Sequence, residues 1–277
     1  MTNIHSASSL VQEPTGGLTV ESLPLWWFIT EYDADTSTLD NLFERGIEEC
    51  MRGKGFEYVA VEQTPTRRSS AGYYGVENET DAVNNGYARP DPSGEDDVPA
   101  DPQPNPSGQF LIALNGSVEE QTMLNINDSD GTPVGQVTRF GGCTGRQVEA
   151  VYGSYDRYVE YLSVRSRLET VVNETIVRFD SSTEGQALNA AWSACMELSG
   201  FVFPSPEYTQ FKAWPEPRPG VEERTTAVAD VRCKDQTSYV VRRASLESDL
   251  QRSLLEEQPS LVVDYQRIVG SIIDAYR

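Results

Sequence analysis

The chain has 277 residues and is strongly acidic, with 43 Asp and Glu against 22 Lys and Arg and a net charge of −21. A surface of this charge repels phosphate backbones and anionic lipid headgroups, which disfavours nucleic acids and membrane surfaces as partners. No apolar run reaches the roughly 20 residues that a membrane-spanning helix needs, so we predict no transmembrane segment.

Residues 1–20 are polar and show neither the basic nor the apolar region of a signal peptide, and we predict a disordered leader there. The pattern Cys-Met-x-x-x-Gly-Phe then occurs twice, in "IEECMRGKGFEYV" and in "WSACMELSGFVFP". Segments 35–59 and 180–204 align without a gap, and further identities continue at the same offset as far as residues 83 and 228. We therefore predict an internal duplication.

Each copy is typical of a helix with marked ends. "DTST" and "DSST" offer N-cap oxygens, and Ser181 with Glu184 fits a capping box. Apolar residues then recur at 3.6-residue spacing, with the cysteine on the buried face. Gly55 and Gly200 are expected to end the helices in the left-handed conformation, each followed by a Phe that makes the apolar contact of a Schellman ending.

The four cysteines are interpreted as structural. Cys50 and Cys195 lie in the last turns of their predicted helices, where the helix dipole disfavours a thiolate, whereas a reactive thiol favours a helix N-terminus and a cationic neighbour. Cys143 and Cys233 each precede a predicted long helix. Three connectivities are possible. If the chain arose by duplication, its single-copy ancestor would have paired its own two cysteines. This argument favours the pairs Cys50–Cys143 and Cys195–Cys233.

Paired cysteines persist in oxidising compartments, so we expect an extracytoplasmic protein, secreted or at the cell surface. The alternative is a cytosolic protein with four buried free thiols.

The remaining segments complete the expected fold. Residues 88–108 are rich in Pro and acids and are predicted to form a mobile loop. Residues 110–140 are predicted to form a β-hairpin around "NDSDG". Long helices are predicted over 146–178 and 236–257, and a last helix after Pro259.

The predicted fold class is therefore α+β and dominated by helices. Long helices form two duplicated units, residues 21–179 and 180–277, with a small antiparallel β-hairpin and two disulfides. We expect the two units to pack as one compact domain.

Catalytic constellations are scarce. His5 is the only histidine and lies in the leader, which excludes Ser-His-Asp and Cys-His sites and histidine-ligated metals. "GGCTG" lacks the strand–helix frame of a dinucleotide site, and a turn that carries Cys143 explains it better. We predict no catalytic residue, no metal site and no cofactor.

The strongest binding candidate is "PSPEYTQFKAWPEPRPG", residues 204–220. Tyr208, Phe211 and Trp214 recur every three residues among five prolines, which lower the entropic cost of holding aromatic rings ready for a partner or a sugar face. The alternative is that the segment folds back and buries these rings in the core.

The duplicated Cys-Met helix, together with "ETDAVNNGY" and "TTAVADVRC", resembles a loose set of uncharacterised exported proteins and lipoproteins from actinobacteria. The resemblance extends over about residues 35–277. It implies a location in the cell envelope, often beside transport genes, and no established activity.

Two functions are therefore considered. The first is a non-catalytic, disulfide-stabilised envelope protein that binds a partner or ligand, either a protein or a cell-envelope component. The alternative is a carboxylate-dependent hydrolase of cell-wall polysaccharide. A deep cleft with two carboxylates about 5–10 Å apart would favour the alternative.

Overall fold

The fold is that of a computed structural model, which describes residues 19–63, 72–87, 106–128, 130–214 and 219–275. For residues 30–36 and residue 211 it describes the backbone alone. The predicted leader up to residue 18 and the predicted Pro-rich loop up to residue 105 lie outside these ranges. Val20, the last residue of the predicted leader, is buried at 3% exposure.

Helices dominate the described part of the chain, as predicted. The α-helices are α1 (Trp26–Gly53), α2 (Glu79–Asn85), α3 (Gly108–Asn115), α4 (Gly142–Tyr152), α5 (Tyr155–Ser181), α6 (Thr183–Leu198), α7 (Pro206–Phe211), α8 (Val221–Thr237), α9 (Tyr239–Glu256) and α10 (Leu261–Ala275). Short 3-10 turns form at Val20–Ser22 and Val118–Glu120.

The predicted hairpin is present but shorter than expected. Strands β1 (Thr122–Asn127) and β2 (Pro133–Arg139) pair antiparallel across the predicted turn. Residues 110–115, which the sequence placed in this element, belong to helix α3 instead. The Ser107 hydroxyl accepts a hydrogen bond from the Phe110 N–H and caps the helix, and Gly116 ends it at φ 78°.

Two predicted long helices are interrupted. Residues 146–178 divide between α4 and α5 because Gly153 takes a left-handed conformation, with φ 84°. Residues 236–257 belong to the end of α8 and to α9, which meet at Ser238 with φ 51°. The last helix starts after Pro259, as predicted.

The ends of α1 and α6 confirm the predicted Schellman motif. Gly55 and Gly200 are left-handed, with φ 82° and 88°. The Phe56 N–H donates to the Met51 carbonyl, and the Phe201 N–H donates to the Met196 carbonyl in the same way. Because each Phe also packs on the core beside its helix, the two endings are equivalent.

The starts of these two helices differ from the prediction. Helix α6 is capped by Ser182, whose hydroxyl accepts from the Gly185 N–H at 2.9 Å, and not by Ser181. Helix α1 already begins at Trp26 and runs through "DTST" without a break. A turn of helix precedes "DTST", so its backbone N–H groups need no side-chain cap.

The chain divides into two compact units, each built from three separate segments. Unit 1 comprises the described parts of Met1–Phe28, Arg68–Glu95 and Val171–Glu257. Unit 2 comprises those of Ile29–Arg67, Asp96–Thr170 and Gln258–Arg277. These boundaries differ from the consecutive units 21–179 and 180–277 expected from the sequence, because α1 and α5 each contribute to both units.

Each unit contains a core around one Cys-Met helix. In unit 1 the core packs around Trp192, which is fully buried, and in unit 2 around Ile47 and Met51. Six core positions correspond at the offset of the two copies: Phe43, Ile47, Cys50, Met51, Phe56 and Tyr58 in unit 2, and Leu188, Trp192, Cys195, Met196, Phe201 and Phe203 in unit 1.

Candidate functional site

The four cysteines form two disulfides, Cys50–Cys143 and Cys195–Cys233. These are the pairs that the ancestral argument favoured. Cys143 lies in the first turn of α4, close to its predicted place before a helix. Cys233 instead lies inside α8, four residues before its end, because α8 begins earlier than the sequence pattern indicated.

Among the described aromatic side chains of this segment, one is exposed. Tyr208 lies in α7 and is 62% exposed. The side chain of Phe211 is not among those that the structure describes. Helix α7 is held in unit 1 by Glu207, whose carboxylate accepts a hydrogen bond from the buried Arg243 guanidinium. Tyr208 is therefore presented from a fixed backbone.

Trp214 instead packs within unit 1. Its ring stacks on Tyr87, with ring centroids 5.6 Å apart. The ammonium group of Lys212, the residue after α7, lies 4.0 Å from the centroid of the Trp214 ring. The indole N–H donates to the Thr209 carbonyl at 3.2 Å. These three contacts are those of a half-buried structural residue, while Tyr208 is free to meet a partner.

A groove that the sequence did not indicate opens beside helix α8. It has a volume of about 490 Å³ and an apolar floor formed by Phe201, Val228 and Ala229. Val83 of α2 and Val221 at the start of α8 line its sides, and they are 51% and 72% exposed. The two valines therefore leave apolar side chains exposed at the edges of the floor.

Two further apolar side chains are exposed near the end of α6, next in sequence to residues that line the groove. Leu198 and Val202 are 92% and 81% exposed, and they flank the lining residues Ser199 and Phe201 in the sequence. Such exposure of large apolar side chains is unfavourable in water, at roughly 25 cal/mol per Å² of apolar area. A partner that covered this surface would recover that free energy.

Two arginines give the groove a positive rim. Arg224 and Arg232 both line it, two turns apart on α8. The Arg232 guanidinium pairs with the exposed Glu79 carboxylate at 2.5 Å, and Arg224 donates to the Pro219 carbonyl. The lining of this groove includes no Asp or Glu, although the chain as a whole is acidic.

A buried ion pair lies on another face of α8. The Lys234 ammonium is 3.0 Å from the Asp230 carboxylate, and both side chains are almost fully buried. Lys234 also donates to the Val76 carbonyl, and Asp230 accepts from the Trp192 indole N–H. The pKa of the Asp230 carboxyl is raised because the group is buried, and the nearby Lys234 ammonium opposes this shift only in part.

This ion pair joins the loop before α2, the core tryptophan and α8, and sequence reasoning missed it. The sequence does contain an indication of this pair. Lys234 is one of three lysines in the chain, and it follows Asp230 at the i, i+4 spacing of a helical ion pair. With both groups inaccessible to solvent, the pair stabilises unit 1 and cannot reach a substrate.

Comparison with protein-family models, curated proteins and solved structures finds no match to this chain. Within the described ranges, no helix is both long enough and apolar enough to cross a bilayer. Nor do the described residues bring together three or more His, Cys, Asp or Glu side chains that could hold a metal ion.

Proposed function

We propose that this chain is an extracytoplasmic, disulfide-stabilised protein of the cell envelope that binds a partner and catalyses no reaction. Two observations favour an oxidising compartment: all four cysteines are paired, and each pair braces one of the two units. The equivalent endings of α1 and α6 and their corresponding core positions favour an origin by internal duplication, as in the actinobacterial exported proteins that the sequence resembles.

The groove beside α8 is the proposed binding site. The observation that carries the proposal is the exposure of Val83 and Val221 at the edges of an apolar floor. We include the exposed Leu198 and Val202 in the proposed site because they are adjacent in sequence to its lining residues.

The two arginines beside the groove indicate which charged groups a partner should carry. Arg224 and Arg232 are eight residues apart, which is about 12 Å along a helix. A protein segment with apolar side chains between two carboxylates about 12 Å apart would cover the floor, meet the Arg224 guanidinium and displace Glu79 from Arg232. Tyr208, exposed on α7, stays a separate candidate contact from the aromatic segment.

The alternative function, hydrolysis of cell-wall polysaccharide, has less support. It requires two carboxylates in a cleft, one protonated and one ionised. The groove instead has two guanidinium groups on its rim and an apolar floor.

Capture from a solubilised envelope extract of the native host tests the proposal. The immobilised chain is compared with Val221→Asp, which puts a charge at the first residue of α8, where an acid does not weaken the helix. Val118→Asp is the matched control, because Val118 is 80% exposed and also begins a helical turn. We expect wild type and Val118→Asp to retain one component that Val221→Asp loses.

Charge reversal gives a second readout. Arg224→Glu combined with Arg232→Glu should abolish capture of the same component, and capture by the wild type should weaken as salt is raised. Capture that survives both groove variants and is lost with Tyr208→Ala would move the site to α7. Release of reducing ends from purified cell-wall polysaccharide would establish the hydrolase instead.

A further inference from the structure

One sulfur of the disulfide of unit 2, that of Cys143, lies in surroundings that stabilise a thiolate. Cys143 is the second residue of α4, whose first turn presents the positive end of the helix dipole to the sulfur. The Arg146 guanidinium, one turn later, lies 2.7 Å from Cys50 Sγ and 3.7 Å from Cys143 Sγ. A helix N-terminus and a cation are the two features that lower the pKa of reactive cysteines.

The two sulfurs of this disulfide also differ in access. Cys143 is completely buried, while Cys50 is only partly buried on the last turns of α1. An incoming nucleophile therefore reaches Cys50. Attack at Cys50 expels Cys143 as the leaving group, and exchange is faster when the leaving thiol has a low pKa.

The disulfide of unit 1 has opposite surroundings in the same chain. Cys195 lies in the last turn of α6 and Cys233 near the end of α8, where the negative ends of the helix dipoles disfavour a thiolate. The Cys195 sulfur lies 3.4 Å from the Gln236 side-chain oxygen. Cys195–Cys233 therefore serves as an internal reference for a purely structural bond.

We propose that Cys50–Cys143 is a site of stoichiometric thiol–disulfide exchange whose reductant is a dithiol, such as the Cys pair of a reducing envelope protein. The donor thiolate attacks Cys50 Sγ, a mixed disulfide forms, and Cys143 departs as a thiolate held by Arg146 and the start of α4. The second donor thiol then attacks the donor sulfur of the mixed disulfide and releases Cys50 as a thiolate, which takes up a proton.

The exchange transfers two electrons from the donor dithiol to the disulfide of unit 2. The donor dithiol is oxidised to a disulfide, and the disulfide of unit 2 is reduced to the Cys50 thiol and the Cys143 thiolate, with one proton released to solvent. This site is independent of the groove in unit 1, so loss of exchange and loss of partner binding are separate results.

Partial reduction of the intact protein tests the proposal. The chain is treated with dithiothreitol, quenched with an alkylating reagent at successive times, and mapped by mass spectrometry. We expect Cys50–Cys143 to open at least about threefold faster than Cys195–Cys233, given the sensitivity of exchange to the leaving thiol. Equal rates, or faster opening of Cys195–Cys233, would overturn the proposal.

Substitution of Arg146 separates a chemical role from simple accessibility. Arg146→Gln should slow opening of Cys50–Cys143 by about threefold, a moderate effect because Arg146 is exposed to solvent. Arg146→Lys should restore most of the rate. Arg52→Gln is the control, since it removes the same charge from an exposed position near the end of α1. An equal effect of Arg52→Gln would make the result one of net charge and refute the site.

The thiol itself gives a third readout. In the reduced protein, the pH dependence of alkylation at Cys143 should report a pKa below the roughly 8.5 of a free cysteine. Arg146→Gln should raise it. A Cys143 pKa at or above that of a free thiol would contradict the proposed leaving group even if the disulfide opened readily.

Discussion

The Lys234 ammonium and the Asp230 carboxylate form a buried ion pair on successive turns of α8, 3.0 Å apart and inaccessible to water. Two further bonds fix it, from Lys234 to the Val76 carbonyl and from the Trp192 indole to Asp230. The pair therefore joins three segments of unit 1. Removal of one charge leaves the other buried without compensation.

The first prediction follows from this pair. Lys234→Met should lower the free energy of unfolding by about 3–5 kcal/mol, the usual cost of breaking a buried pair from one side. Lys54→Met, at an exposed position after α1, should change it by less than about 0.5 kcal/mol. Urea-induced unfolding measures both.

The double variant identifies the cause. Lys234→Met with Asp230→Asn removes both charges and keeps an acceptor for the Trp192 indole, so it should be more stable than Lys234→Met alone. A double variant that is less stable would mean that Lys234 acts through packing of its side chain.

The second prediction concerns pH. Burial raises the pKa of the Glu77 carboxyl, although the Tyr74 N–H and Lys234 oppose this shift. A raised pKa in the folded state means that the contribution of Glu77 is fully present below its unfolded pKa and is lost as pH rises through the folded value. Glu77→Gln should therefore gain stability relative to wild type as pH rises above about 4, the ordinary pKa of a glutamate in the unfolded chain.

Glu79 supplies a control of opposite sign. The hydrogen bond from Arg232 lowers the pKa of the exposed Glu79 carboxyl, so its contribution is present above its unfolded pKa and lost as pH falls. Glu79→Gln should therefore lose stability relative to wild type as pH rises. Urea unfolding at several pH values measures the stability of both variants relative to wild type. If the two differences change with pH in the same direction, the assigned directions of the two pKa shifts are wrong.

The third prediction concerns the aromatic segment. Trp214→Ala should destabilise the protein by about 1–3 kcal/mol, because the ring loses its stack on Tyr87 and its contact with Lys212. Tyr208→Ala should cost less than about 0.5 kcal/mol, since this side chain is mostly exposed. Thermal unfolding compares the two. A smaller melting shift for Trp214→Ala would return Trp214 to the binding residues expected from the sequence.

The fourth prediction uses two glycines near the end of α1. Gly55 is left-handed with φ 82°, and an added Cβ would meet no atom within 4 Å. Gly55→Ala should therefore cost about 1–2 kcal/mol from backbone conformation alone. Gly53 is helical and equally open, so Gly53→Ala should stabilise by about 0.5–1 kcal/mol. Opposite signs in urea unfolding confirm that conformation decides both effects.

Local sequence chemistry predicted the features that depend on a few neighbouring residues. The left-handed ends at Gly55 and Gly200 require a residue without a Cβ followed by an apolar contact, and both are visible as adjacent letters. The hairpin turn and the restart after Pro259 are of the same kind. The two disulfides followed from the cysteine count and the proposed ancestry.

Features that depend on packing between distant segments escaped prediction. Cap residues in "DTST" did not start a helix because α1 was already under way, and the apolar run of α3 fits a strand or a helix equally well. The groove requires α2, the end of α6 and α8 together. No local pattern in any one of these segments indicates it.

The disulfides join the cysteines in the order in which they occur along the chain, Cys50 to Cys143 and then Cys195 to Cys233. A polypeptide that emerges N-terminus first can therefore close each bond with the most recent unpaired cysteine, before the next pair becomes available. In the proposed export of the chain into an oxidising compartment, oxidation in this order gives the native pairing with no earlier mispairing to undo.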